Sequence, residues 1–349
     1  MIKGTTKTES EYRAVDMNSS SSLKDFSLDR KKYHRKYVKN EKVEEKDSGA
    51  ATMGRLVETL LMEPELFDER FYMSSLVSAP TGLMLEFVEA LYRITMEATD
   101  EEGNVKRTFE DISRDAYAAS GFKIKYDAVI GKFVGSDAEL YYNELRQVRA
   151  KGLSVVTTED VTNAERIVEE LRVNSFTADI VNKVTSARWE VFNQFQIEGY
   201  EIDGMKLKSM IDKLIIDNEK KQVHIYDLKC VWAVENFYTE YYLYRRAYIQ
   251  AFLYHRAVMS MEEFEGYEVL PPKFIVCDSS NYYSPLIYKL TVKDLDEAYE
   301  GFEYKGREYP GVKTIIEELK WALENDIWNV SMTNFLNRGV VFLKDHFKY

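Results

Sequence analysis

The sequence predicts an α/β fold in which a mixed central sheet is flanked by helices. Apolar residues recur at helical spacing through much of the first half, and three consecutive strand patterns begin near residue 186. A long helical stretch and two further strand patterns follow them. The chain has 349 residues, 45% hydrophobic and 30% charged, which is typical of a globular protein with a large core.

The N-terminal residues divide into an arm and a helix. Residues 1–17 are polar and predict a flexible arm. The stretch SSSSLKDFSLDRKKYHRKYV follows, and any of Ser20 to Ser22 can cap the basic, aromatic helix that it predicts. From residue 18 to residue 349 we expect a single domain.

Three helices are predicted between residues 49 and 173. Thr157 or Thr158 can cap the last of them. The intervening residues 99–157 have a mixed pattern, and we assign them to an α-rich insertion at about 65–175. The predicted helices cover residues 49–63, 83–98 and 159–173.

The sheet is predicted from five apolar stretches, and the core that holds them covers about residues 186–290. A turn, NEKK, joins the second stretch to the third. A long aromatic helix is expected at about 235–259, after the third strand, and a closing helix near 311–325. The five strand patterns are RWEVFNQFQIEGYEI, MKLKSMIDKLIID, QVHIYDLKC, KFIVCDS and PLIYKL.

Composition excludes several classes of protein. Cys230 and Cys277 are the only cysteines, too few for an iron–sulfur cluster or an all-cysteine zinc site. No apolar run approaches the ~20 residues of a membrane span, and the polar N-terminus lacks the apolar region of a secretory signal, so we expect a cytoplasmic protein. No GxxxxGK[ST] phosphate loop is present. The net charge of −12 argues against a protein that coats nucleic acid, but not against an enzyme with one basic groove.

An unusual pair of charges lies in the third predicted strand. Asp227 and Lys229 are two residues apart, so they project from the same face as Val223 and Ile225. If the hairpin is centred between residues 219 and 220, Asp212 faces Asp227 across the ladder. Two facing carboxylates repel unless a cation lies between them, and hard oxygen ligands suit Mg²⁺ or Mn²⁺.

The charge pattern therefore predicts a site for phosphodiester hydrolysis, with Lys229 contacting the attacking water or the scissile phosphate. The alternative is an ion pair of Asp227 and Lys229 at a strand end that faces solvent. In the next helix, Gln250 and Tyr254 are four residues apart and share a face. Arg245 and Arg246 precede them by one turn, where a DNA backbone could meet them.

The order SMID, YDLKC and QAFLY resembles the PD-(D/E)XK nuclease superfamily, in its RecB-like branch. Within that branch, the chain is similar to RecE-type (exonuclease VIII) and phage recombination exonucleases over most of residues 18–290. The resemblance implies a restriction-endonuclease-like core and metal-dependent DNA hydrolysis, often 5′ to 3′ from duplex ends. It also implies that Asp212 and Asp227 bind Mg²⁺, with Mn²⁺ as a substitute, and that Lys229 is the catalytic lysine.

The resemblance implies roles for other residues too. The backbone carbonyl of Leu228 would be a metal ligand, and Gln250 and Tyr254 would support the site or touch DNA. Two positions depart from the family pattern. Ile211 stands where the family has proline, and Glu58 stands where it has the histidine of a GxxxH helix, so we expect Glu58 to take that ligand's place. A further acidic position has three candidates, which are Glu190, Gln194 and Glu198.

Together these features predict a Mg²⁺-dependent exonuclease of phage or mobile-element recombination that acts on double-stranded DNA ends. If the protein is phage-encoded, it would work in the host cytoplasm. By family analogy, it would be a homo-oligomer that works beside a single-strand annealing protein. Two alternatives stay open at this point: an endonuclease on the same core, and a catalytically silent DNA-binding or assembly protein.

Overall fold

The structure, a computed structural model, describes residues 4–5, 7–41, 49–100, 102–280 and 282–341. The chain forms two compact units, where the sequence predicts one domain. The first unit contains Met1–Asp47 and Glu170–Tyr349, and the second contains Ser48–Glu169. The second unit therefore begins and ends earlier than the predicted insertion.

The elements are numbered in chain order. The strands are β1 (Gly4–Thr5), β2 (Phe71–Met73), β3 (Ser154–Val156), β4 (Trp189–Ile202), β5 (Met205–Asp217), β6 (Gln222–Val231), β7 (Glu268–Val269), β8 (Lys273–Asp278), β9 (Leu286–Lys289), β10 (Gly301–Tyr304) and β11 (Arg307–Pro310). The α-helices are α1 (Glu9–Ala14), α2 (Ser20–Leu28), α3 (Arg30–Tyr33), α4 (Gly49–Met62), α5 (Phe67–Arg70), α6 (Gly82–Glu97), α7 (Phe109–Ser120), α8 (Tyr126–Phe133), α9 (Asp137–Arg149), α10 (Thr158–Val173), α11 (Ala178–Val181), α12 (Ala247–Met259), α13 (Val292–Glu300), α14 (Val312–Asn325) and α15 (Met332–Leu336). Two π-helical segments, His34–Val38 and Tyr238–Tyr244, and three 3₁₀ turns, Pro64–Leu66, Val234–Asn236 and Glu262–Phe264, complete the list.

The first unit is built on a mixed seven-stranded sheet in the order β1-β4-β5-β6-β8-β9, with β7 also paired to β6. Strands β4, β5 and β6 form an antiparallel meander, whereas β6 and β8 are parallel. The crossover between β6 and β8 contains α12, which contacts β5 and α2. The predicted α/β class with a mixed central sheet and flanking helices is confirmed.

The sheet presents a strongly apolar face to the helices. Val223 and Ile225 of β6 are 0% and 1% exposed, and they belong to the same core cluster as Leu214 of β5. From α12, Tyr248 and Leu253 contribute fully buried side chains to that cluster. Burial of this face stabilises the unit mainly through the hydrophobic effect.

The second unit is mostly helical, as predicted for the insertion. Its core gathers apolar side chains from α6, α8 and α9, including Phe87, Leu91, Phe133 and Leu145. Strands β2 and β3 form its small parallel sheet. Within the described residues, no helix is long and apolar enough to cross a membrane.

Three local predictions need correction. The predicted flexible arm at 1–17 is partly ordered in its described residues, since β1 pairs with β4 and α1 has a capping box on Thr8. The cap of α2 is Ser19 and not one of the three serines after it. The long aromatic helix is interrupted, because Arg246 has a left-handed backbone with φ of 55° immediately before α12 begins.

Candidate active site

The β5–β6 hairpin has the predicted register. Its ladder runs from Asp217 opposite Gln222 to Lys213 opposite Tyr226, and Asp212 and Asp227 stand at the next position in the same register. At the turn, Asp217 accepts hydrogen bonds from the backbone N–H groups of Glu219 and Lys220, each 3.1 Å. A bidentate contact from Arg188 lowers the pKa of the Asp217 carboxyl to about 2, so the turn is held by a charged side chain.

Asp227 is the centre of the candidate site. Its side chain is buried, and its Oδ1 accepts a hydrogen bond of 2.7 Å from Gln250 Nε2. Its Oδ2 forms an ion pair with Lys229 Nζ, although no hydrogen bond of good geometry reaches that oxygen within the described residues. The carboxylate and the ammonium thus lie on the buried side of the sheet, and not at a solvent-facing strand end.

Asp212 lies beside this group. It is 8% exposed, and its Oδ2 accepts a hydrogen bond of 2.8 Å from the backbone N–H of Leu228. The carbonyl of Leu228 accepts a longer contact of 3.4 Å from Lys229 Nζ. The two aspartates, the Leu228 backbone and Lys229 are therefore connected through one stretch of β6.

Gln250 and Tyr254 are brought to the same place by α12. Gln250 Nε2 also donates to the Tyr254 hydroxyl at 2.8 Å, which confirms that the two side chains share a helix face. Burial, together with the negative charges of Asp212 and Asp227, raises the pKa of Tyr254 well above its usual value. The phenol therefore stays protonated and neutral at physiological pH.

The two arginines before α12 have different surroundings. Arg246 is half-buried, and its Nη1 donates to the carbonyl of Ser27 at 2.8 Å. Burial lowers the pKa of its guanidinium. Arg245 is exposed, with its guanidinium 4.6 Å from the ring centre of Tyr241. Of the pair, Arg245 is the one that presents its charge to solvent.

Sequence reasoning missed one residue of the site, Lys24 on α2. Its Nζ donates to Gln250 Oε1 at 3.4 Å, so it belongs to the hydrogen-bonded group around Asp227. Burial and the positive charge of Lys229 lower the pKa of Lys24 to about 8, against the pull of Asp227. The two residues are 226 positions apart in the chain. No local sequence pattern marked Lys24, because its contact depends on the packing of α2 against α12.

The β4–β5 register shows which of the three candidates for the further acidic position lies opposite Asp212. Asn193 pairs with Lys213 and Phe195 with Ile211, so Gln194 stands opposite Asp212, with a left-handed backbone of φ 49°. Glu190 and Glu198 lie four residues before and after Gln194, which is about 13 Å along the strand in each direction. Glu190 accepts a hydrogen bond from Asn218, and Glu198 forms an ion pair with Lys7.

The predicted metal ligands are only partly gathered. Within the residues that the structure describes, no group of three or more His, Cys, Asp or Glu side chains converges on one point. Among the described residues of the candidate site, Asp212 and Asp227 are the adjacent acidic side chains. Glu58 lies half-buried on α4 in the second unit, and its role as a ligand stays a prediction.

Known proteins that resemble this chain are few among those compared. No family model matches the sequence, and no curated protein matches it. Among solved structures, the chain is similar to the crystal structure of a putative exonuclease from Eubacterium rectale. The two are 14% identical, with a TM-score of 0.48, and the match covers 97% of this chain and 89% of the other. A likeness of this size identifies no activity.

Proposed function

We propose that this chain is a metal-dependent DNA nuclease that hydrolyses phosphodiester bonds from duplex ends. One observation carries the proposal: Asp227, almost fully buried, is held between Lys229 and Gln250, with Asp212 at the adjoining register position. A buried charged cluster of this kind is costly to stability, and such clusters concentrate at sites that bind or react. Together with the family resemblance of the sequence motifs, it favours hydrolysis over a structural ion pair.

The donor set fits a hard divalent cation. Asp227 Oδ2 is a buried carboxylate oxygen that faces the Lys229 ammonium, and a divalent cation would satisfy it once that ammonium moves to the phosphate. Mg²⁺ is commonly held by one or two carboxylates, with water and substrate phosphate in its other positions. Asp212 and Asp227 would hold it, and the Leu228 carbonyl is the adjacent backbone oxygen. When bound, the cation would neutralise phosphate charge and lower the pKa of a bound water.

The chain's own residues have separable tasks. Gln250 fixes the orientation of the Asp227 carboxylate, because one amide nitrogen bridges Asp227 Oδ1 and the Tyr254 hydroxyl. Lys229 is 23% exposed at its side chain, so its ammonium can leave Asp227 and meet a phosphate oxygen. A positive charge there stabilises the negative charge that develops on phosphorus oxygens in the transition state. Burial of the cluster excludes water and strengthens this interaction.

The proposed function is tested with linear and covalently closed circular duplex DNA of one sequence. Each is incubated with Mg²⁺, with Mn²⁺ or with EDTA, beside the conservative variant Asp212→Asn. We expect the linear form alone to be degraded, only with a divalent cation, and the variant to be inactive. Cleavage of both forms at equal rates would make the protein an endonuclease. DNA binding without cleavage under every condition would favour the catalytically silent binding protein.

The 5′-to-3′ direction, the recombination role, the homo-oligomer and the annealing partner are proposals that rest on the family resemblance. Direction is measured with duplexes blocked at one 5′ or one 3′ terminus by a phosphorothioate segment. We expect only a block at the 5′ terminus to protect a strand. Sedimentation of the purified protein tests the oligomer, and co-purification with an annealing protein encoded nearby would support the partner.

A further inference from the structure

The two cysteines of the chain lie side by side in the sheet of the first unit. Cys230 of β6 and Cys277 of β8 are direct partners in the parallel ladder, so their side chains project from the same face. Both are free thiols. Because side chains alternate along a strand, this face is opposite to the one that carries Asp227 and Lys229. The thiols are therefore linked to the candidate active site through the backbone of β6, where Cys230 directly follows Lys229.

The two thiols are in contact and differ in exposure. A hydrogen bond with the Cys230 side chain, together with burial, raises the pKa of the Cys277 thiol well above its usual value. Cys277 Sγ also donates to the carbonyl of Lys229, at 3.6 Å. Cys277 is 2% exposed, whereas Cys230 is half-buried. An oxidant in solution therefore reaches Cys230 first, and Cys277 is the thiol beside the oxidised product.

The spacing of the paired strands suits a disulfide bond. Neighbouring strands lie about 4.8 Å apart, within the roughly 4.4–6.8 Å that separate the Cα atoms of a disulfide. Paired side chains on one face keep about this spacing at their Cβ atoms, whereas a disulfide needs about 3.5–4.5 Å there. Closing the bond thus draws β6 and β8 together at Cys230. A disulfide that forms only with such a movement is easily reduced again.

We propose that Cys230 and Cys277 are an oxidation site, at which hydrogen peroxide converts the two thiols into a disulfide. The Cys230 sulfur attacks one peroxide oxygen, so that an S–O bond forms and the O–O bond breaks. The hydroxide that leaves takes up the proton that Cys230 released, which gives one water. The Cys277 sulfur then attacks the sulfenic acid of Cys230, the S–S bond forms, and the S–O bond breaks with release of a second water that carries the Cys277 proton. The thiols lose two electrons in total, and these reduce one peroxide to two waters.

The disulfide would act on catalysis through Lys229. It removes the thiol hydrogen that Cys277 donates to the Lys229 carbonyl, and it moves the backbone next to that residue. This backbone places the Lys229 ammonium against Asp227. A misplacement of about 1 Å in an active site can lower a rate by about 10²-fold. The effect on cleavage rests on the proposed function, whereas formation of the disulfide does not.

The test uses the full chain, treated with hydrogen peroxide and then unfolded in iodoacetamide, which blocks free thiols. Because Cys230 and Cys277 are the only cysteines, the intact mass separates the doubly blocked reduced chain from the unblocked disulfide. Cys277→Ser removes the second thiol, so oxidation of Cys230 should stop at the sulfenic acid, which dimedone labels. Cys230→Ser leaves only the buried thiol, which should stay reduced. Melting temperatures verify that each variant folds.

We expect peroxide to convert the wild type to a monomeric disulfide form, and dithiothreitol to restore both thiols. Cleavage of linear duplex DNA should fall by about 10-fold to 100-fold on oxidation and recover on reduction. Cys230→Ser should keep its rate under peroxide, and an equal loss in this variant would place the damage elsewhere. The proposal is overturned if both thiols stay free or if the disulfide joins two chains, and a disulfide that leaves cleavage unchanged overturns its coupling to Lys229. A wild type that is inactive before treatment counts against the proposed function alone, because the mass still decides whether the bond forms.

Discussion

At the scale of single residues, Lys229 has the most direct role in the proposed reaction. Its ammonium is paired with Asp227 when no DNA is bound, and we propose that it transfers to a phosphate oxygen during the reaction. Lys229→Gln keeps a hydrogen-bond donor but removes the charge. Because the charge acts mainly in the transition state, single-turnover cleavage should fall by about 10²-fold or more, while the affinity for DNA ends changes much less. The exposed ion-paired lysine Lys293, replaced by Gln, is the control. A Lys229→Gln enzyme with near wild-type rates would show that the site is assigned wrongly.

Lys24 makes a prediction about stability and pH. Its pKa is lowered from 10.5 to about 8, so between these values the unfolded chain binds a proton that the folded chain has released. Holding the charged ammonium in the folded site is therefore unfavourable below pH 8, and this cost fades as the pH rises to 10.5. Lys24→Met should raise the free energy of unfolding below pH 8 by at most about 3 kcal/mol, with the gain lost by pH 10.5.

This dependence is measured by urea unfolding in metal-free buffer at a series of pH values, with Lys293→Met as the control. A gain of equal size at every pH would mean that Lys24→Met acts through packing and not through charge. The residue also shows a limit of sequence reasoning. A lysine on α2 reaches the site only through the packing of α2 against α12, and no local pattern encodes that contact.

At the scale of elements, the sequence predicts the β5–β6 hairpin correctly. It does not predict the break in the helical segment before α12. The β5–β6 register follows from the alternation of apolar residues and a turn whose bonds are local to Asp217. The break before α12 depends on the left-handed backbone of Arg246 and on its bond to Ser27, a residue more than 200 positions away. The aromatic, apolar sequence at about 235–259 predicts a continuous helix, because helical periodicity does not reveal a break that a tertiary contact fixes.

At this break the adjacent residues Arg245 and Arg246 have different surroundings, so we expect their substitutions to have different effects. Arg246→Ala removes a charged donor from the Ser27 carbonyl, so the free energy of unfolding should fall by about 1–3 kcal/mol. Arg245→Ala should leave stability unchanged, because Arg245 is exposed, and should instead weaken DNA binding and reduce its salt slope by about one. Thermal unfolding and anisotropy titrations on both variants separate the two effects. A loss of DNA affinity in folded Arg246→Ala that equals the loss in Arg245→Ala would contradict this division.

At the scale of the whole molecule, the net charge of −12 affects every measurement with a divalent cation. Like charges over the surface repel, and any salt screens that repulsion and raises stability. A specific effect of Mg²⁺ must therefore exceed the effect of NaCl at equal ionic strength. A groove beside Lys24 and Gln250 is lined, among the described residues, by eight lysines and arginines and two aspartates, and positive charge placed there would favour DNA binding by such an acidic chain.

We expect MgCl₂ to raise the melting temperature above its value in NaCl of equal ionic strength, because the cation binds the folded site and not the unfolded chain. At about 100 times the dissociation constant, this adds roughly 2.7 kcal/mol to the free energy of unfolding. Asp212→Asn can still accept the Leu228 N–H through its amide oxygen, so the variant should fold but lose most of the Mg²⁺-specific gain. Glu58→Gln tests the predicted third ligand in the second unit: a smaller Mg²⁺-specific gain would support Glu58, and an unchanged one would leave the two aspartates as the acidic ligands. If wild type and Asp212→Asn respond equally to Mg²⁺, the cation is screening surface charge and the metal site is refuted.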